Sequence, residues 1–89
     1  MYYVYVLQSE KDKLLYIGFT ENIESRLIRH NSGESASTKF RRPLKLIFYE
    51  AYAVKSDALR RERYFKTTKG KATLKIMLKD YFISQKEPL

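Results

Sequence analysis

Apolar and polar positions along the chain alternate in a way that predicts six elements. Residues 2–8 (Tyr2-Tyr3-Val4-Tyr5-Val6-Leu7-Gln8) are aromatic and β-branched, which favours a strand. Ser9-Glu10-Lys11-Asp12 has turn character, and residues 13–20 are strand-like again, so the pair reads as a hairpin. A loop over 9–12 sets Gln8 against Lys13, Tyr5 against Tyr16 and Val4 against Ile17. Directly opposed residues share a face, so both tyrosines project to the same side. A one-residue slip would destroy that pairing.

Thr20 or Asn22 can cap a helix running to about Asn31, with Gly33 just beyond its end. On it Ile23, Arg26, Leu27 and His30 fall on one face, half apolar and half cationic. Residues 32–43 are polar and basic and read as a loop, and residues 44–53 form a third strand. Ser56 or Asp57 caps a second helix over 57–67. A last helix, about 71–83, carries Leu74, Met77, Leu78 and Tyr81 as a core stripe. The order is β-β-α-β-α-α. The fold class is α/β, an α+β sandwich whose three-stranded antiparallel sheet is flanked by helices. Residues 1–83 are expected to form one domain, with 84–89 as a C-terminal tail.

Composition narrows the chemistry. With 89 residues there is room for one small domain. The absence of Cys excludes disulfides, thiolate zinc sites, Fe–S clusters and a thiol nucleophile. A single histidine, His30, excludes two-His metal sites. Gly18, Gly33 and Gly70 are the only glycines, so neither a Walker A loop nor G-x-G-x-x-G can be written. The longest apolar run, Met1 to Leu7, is too short to span a membrane. The expectation is a soluble, cytoplasmic domain without a membrane partner, whose metal chemistry rests on carboxylates.

The net charge of +8 is uneven. Thirteen basic residues between Lys39 and Lys79 face only Glu50, Asp57 and Glu62. A basic surface gathered in one half points to a polyanionic partner, nucleic acid first.

Several side chains stand out against that background. Glu62 shares a helix face with Ala58, Leu59, Phe65 and Lys66, where an unpaired carboxylate is costly. It is either half of an ion pair with Lys66 or a neighbouring Arg, or a ligand for a hard divalent cation such as Mg²⁺. Arg26 and His30, one turn apart, are either a snorkelling cation and a helix-end histidine or a phosphate clamp. Tyr5 and Tyr16 are either core aromatics or phenols whose pKa nearby cations must lower before one can act as a base. Lys39, Arg41 and Arg42 around Phe40 can hold a nucleic-acid backbone and stack a base, with Lys66 a further candidate contact. The row Lys71, Lys75, Lys79 reads as a solvated helix face, with phosphate contact the lesser reading.

Taken together, Tyr3-Val4-Tyr5, Tyr16-Ile17-Gly18, Arg26, His30 and a helical Glu62 resemble the GIY-YIG nuclease family over residues 2–82. Pro43-Leu44-Lys45-Leu46 followed by Ser56-Asp57-Ala58-Leu59 is similar to its small stand-alone bacterial branch, related to the nuclease module of the excision-repair incision subunit. Tyr3 stands where the family name has glycine, and Phe19 where the repair nucleases carry a polar or basic residue. The resemblance implies a metal-dependent endonuclease acting on DNA phosphodiesters. Tyr5 and Tyr16 become paired active-site phenols, Arg26 the catalytic cation and His30 its neighbour. His30 is expected to hydrogen-bond a phenol or phosphate and help to depress the tyrosine pKa. Glu62 becomes the single protein ligand to Mg²⁺ or Mn²⁺, and Gly18 permits close backbone approach. A separate protein partner can supply specificity. The alternative is a nucleic-acid-binding module of the same fold with weak or no catalysis.

Overall fold

A computed structural model describes residues 1–86. Its elements are β1 (Tyr2–Ser9), β2 (Leu15–Thr20), α1 (Ile23–Asn31), β3 (Leu44–Tyr52), α2 (Lys55–Phe65), α3 (Thr68–Met77) and α4 (Lys79–Lys86), with a short 3-10 turn over Lys39–Arg41. The sheet is antiparallel, in the order β2-β1-β3, so the most apolar strand lies at its centre.

Side chains of β1 therefore alternate between two covered faces. Val4 and Val6 pack with Ile17, Ala58, Phe65 and Leu74 beneath α2 and α3. Tyr5 and Leu7 pack with Leu44, and with Tyr16, Leu27 and Leu46, beneath α1. A bulge opposite Val6 and Leu7 lets β3 turn both Ile47 and Phe48 toward the α2 side.

The hairpin register differs from expectation by two residues. Tyr5 lies opposite Gly18, Val4 opposite Phe19, and Tyr16 opposite Leu7. The loop runs longer than expected because Lys13 adopts a left-handed φ of 65° and Ser9 closes the turn by accepting from the Lys13 N–H. A two-residue shift keeps the alternation, so both tyrosines still share a face.

Two helical expectations need correction. The second helix begins at Lys55, with Val54 at its N-cap and no side-chain cap from Ser56 or Asp57. The last helix is two: α3 starts under a Thr67 cap and ends at Met77, and α4 follows after Leu78 leaves helical geometry. The break takes Met77 off the core stripe to 41% exposure, whereas Leu74 stays fully buried. Residues 84–86 continue α4 rather than forming a tail, and the Gln85 amide donates to Gln8 Oε1 at 2.7 Å. Residues 87–89 of the expected tail lie outside the described residues. No described helix is long and apolar enough to cross a membrane.

Candidate active site

On the α1 face, Tyr5 extends its ring across Gly18 of the neighbouring strand. A Cβ on Gly18 would lie 2.8 Å from Tyr5 Cε1 and closer still to Cζ and the hydroxyl. The glycine is thus needed for a side chain rather than for the backbone approach expected from sequence. Tyr16, two residues earlier, sits with its ring 6.3 Å from that of Tyr5 and 4.9 Å from that of His30.

The other half of the site comes from α1, which is tied down at both ends. Asn22 Oδ1 accepts from the Ser25 N–H at 2.9 Å. Asn31 clamps β3, accepting from the Leu44 N–H at 2.8 Å and donating to its carbonyl at 2.9 Å. Arg26 and His30 are thereby presented to the sheet. Arg26 Nε donates to the Tyr5 hydroxyl at 3.3 Å, and His30 Nε2 lies 2.9 Å from the same oxygen. The second imidazole nitrogen, Nδ1, lies 2.7 Å from Thr38 Oγ1.

Electrostatics follow from this burial. His30 is fully buried, and burial, aided by Arg26 and Arg29, pushes its pKa below the ordinary value, so the ring is neutral at pH 7. When Thr38 donates to Nδ1, the single N–H of the neutral ring sits on Nε2 and points at Tyr5. Burial also raises the Tyr5 pKa above 10, outweighing the lowering by the Arg26 hydrogen bond. For Tyr5 this runs against the expectation that His30 helps to depress a tyrosine pKa: its phenol is neutral, and desolvation is the cause. Contact with Tyr5, and secondarily Tyr16, holds Arg26 above its ordinary value.

Glu62 lies on α2, and its charge is the smallest of the influences that raise the Tyr5 pKa. The preceding residue sets the helix rotation. Arg61 forks onto Glu50 at 2.9 and 3.2 Å and lies 4.3 Å over the Phe65 ring. Glu62 itself is paired with Lys66 at 3.1 Å, so the ion pair expected as one alternative is present. Its side chain is 17% exposed. Among the described residues, no group of three or more His, Asp or Glu side chains gathers to hold a metal. A lone hard carboxylate suits Mg²⁺ or Mn²⁺ only if waters and substrate phosphate complete the shell, and Glu62 is partly open to solvent.

The basic loop divides. Phe40 is 76% exposed with the Lys39 ammonium 5.3 Å above its ring, and Lys39, Phe40 and Arg42 line one shallow pocket with Lys11. Arg41 turns inward instead, pairing with Asp12 at 3.3 Å and donating to the Leu15 carbonyl at 3.4 Å. It is a hairpin strut rather than the nucleic-acid contact expected. Phe19, facing the α2 side, packs with the core and stacks on Tyr2.

Two residues of this face escaped the sequence reading. Thr38 is a fully buried partner of His30, and nothing marks one threonine in a polar loop as such. Tyr49, directly opposite Tyr5 and 52% exposed, extends the aromatic face; its place in the strand Phe48-Tyr49-Glu50 was the available signal.

Comparison with known proteins agrees with this arrangement. Residues 1–75 match the GIY-YIG catalytic domain. A UPF0213 protein of Staphylococcus saprophyticus is 42% identical over 77 residues, covering 85% of this chain and 93% of that protein. One from Lactiplantibacillus plantarum is 44% identical over 79 residues, covering 85% of this chain and 77% of the relative. The solution NMR structure of the UPF0213 protein BH0048 from Bacillus halodurans superposes with a TM-score of 0.54 at 31% identity, covering 86% of this chain and 85% of that one. This chain belongs to the GIY-YIG family, a nuclease family whose substrates are nucleic acids.

Proposed function

We propose that the protein is an endonuclease that hydrolyses DNA phosphodiester bonds with the help of one divalent cation. The observation that carries the reading is the meeting of Arg26, His30 and the Tyr5 phenol, with Tyr16 packed beside them on the same face. Arg26 uses Nε on Tyr5, which leaves its terminal N–H groups for a phosphate and for charge that builds on it. Tyr5 is buried and held by two partners, so its part is to orient Arg26. Tyr16 is less buried and also lies against Arg26, so it is the phenol that takes the proton from the attacking water. As the new P–O bond forms, the bond to the departing oxygen of the strand breaks. Glu62 would hold Mg²⁺ or Mn²⁺, which when bound supplies positive charge against the phosphate. Lys39, Phe40 and Arg42 would hold flanking DNA, with Lys66 contributing once Glu62 turns to a metal.

A second reading draws on the neutral Tyr5 phenol, which suits a module that grips phosphate without cutting it. The two separate on a panel of labelled linear, nicked, flapped and branched DNAs, incubated with Mg²⁺, Mn²⁺ or EDTA beside Glu62→Ala. Metal-dependent cutting lost in the variant supports the nuclease. Binding by both proteins without cutting supports the module, and cutting that survives the substitution removes Glu62 from the site.

A further inference from the structure

The lysine row Lys71, Lys75, Lys79 is not merely a solvated face. It forms one wall of a groove of about 1070 Å³ between the sheet and helices α3 and α4, joined there by Lys13, Lys45 and Lys86. The floor is apolar: Leu15 and Ile17 of β2 and Phe82 of α4. Leu15 and Ile17 belong to the α2 side of the sheet, so the groove lies on the face opposite Tyr5 and Tyr16. No acidic side chain lines it, and none of its six lysines forms an ion pair among the described residues. Six ammonium groups around an apolar floor, none with a carboxylate partner among the described residues, favour a polyanion with an apolar side.

We propose that this groove is a second nucleic-acid site, which holds a single-stranded segment while the opposite face holds the bond to be cut. The choice of a single strand rests on two features. Lys71 and Lys75, one helical turn apart, stand about 6 Å from each other along the axis, a step that lets a charged wall track an extended backbone. The apolar lining, in which Leu14 and Ile83 are exposed, suits unpaired bases, whereas duplex DNA would leave it unused. The nucleic-acid identity of the polyanion rests on the nuclease reading, but binding in the groove needs no cutting.

The test is fluorescence anisotropy of labelled oligodeoxythymidylate in EDTA, with wild type, a Lys71→Gln/Lys75→Gln/Lys79→Gln variant, and the same three positions changed to Arg. The Gln variant is expected to bind about tenfold more weakly at moderate salt and to lose about 2 from the salt slope. The Arg variant should bind like wild type, and both should keep the wild-type melting temperature. Wild-type affinity and slope in the Gln variant overturn the proposal. So does displacement of the oligonucleotide by poly-glutamate at equal charge concentration, which would assign the groove to an acidic protein segment. Absence of cleavage on every DNA would sink the nuclease reading and leave this result standing.

Discussion

On β1, Val4 and Val6 project into a dry layer with Ile17, Ala58, Phe65 and Leu74, whereas Tyr5 between them projects into a polar layer with Arg26, His30 and Thr38. The dry layer needs only area and shape, at about 25 cal/mol per Å² of apolar surface buried. The polar layer needs each buried donor and acceptor to find its partner, since an orphaned one costs about 1–3 kcal/mol. No buried side-chain nitrogen or oxygen lacks a partner among the described residues. A small domain thus keeps one face of its sheet dry and sets a costly, pre-arranged group of polar side chains among the apolar packing of the other.

Substitutions should separate the two layers. Leu74→Ala in the dry layer should lower unfolding free energy by about 2–5 kcal/mol. Cleavage per folded molecule, measured well below the melting point, should stay unchanged. Gly18→Ala and Gly70→Ala form a matched pair, because each added Cβ meets atoms at contact distances no structure tolerates. On Gly70 it would press on the Tyr64 carbonyl and the Phe65 backbone, where α3 begins against the end of α2. Both should cost about 1–3 kcal/mol in urea unfolding. Only Gly18→Ala, which moves Tyr5, should also abolish cutting by the folded fraction, and equal activity in the two variants would break the comparison.

Acid acts on one layer. The folded pKa of His30 is lowered, so below about 6.5 the unfolded chain binds its proton more readily than the folded one. The stability linked to His30 is complete above that value and is lost as pH falls beneath it. Asp12, whose pKa is also lowered, acts only in the carboxylate range near 4 and below. Urea midpoints should therefore fall between pH 7 and pH 5 in the wild type, and the slope should flatten in His30→Gln. The smallest effect is expected for Lys66→Gln. It removes an i,i+4 pair to Glu62 whose lysine is 53% exposed, and stability should change by no more than about 0.5 kcal/mol. DNA affinity in gel shifts should fall if Lys66 reaches the strand.

Much of this arrangement was legible in the chain, for identifiable reasons. Alternation along Tyr2–Gln8 placed Tyr5 and Tyr16 on one face, although it could not separate a pairing from the same pairing slipped by two. The extra loop length rested on a left-handed Lys13, which no glycine announces. Helical spacing put Arg26 and His30 together, and the misfit of a carboxylate among Ala58 and Phe65 marked Glu62. Thr38 and the inward turn of Arg41 depend on how the loop folds back onto the hairpin, a contact across 32 residues between Ser9 and Arg41 that local pattern does not encode. The direction of the Tyr5 shift was missed because cations are visible in a sequence and desolvation is not.

A catalytic polar layer depends on Arg26, which donates to Tyr5 at its centre. The most direct measurement is the single-turnover cleavage rate of Arg26→Ala beside wild type on the best substrate, in Mg²⁺, with unfolding followed in parallel. The rate should fall by about 10²–10³-fold, with the fold intact. An unchanged rate in a folded Arg26→Ala protein would contradict a catalytic polar layer.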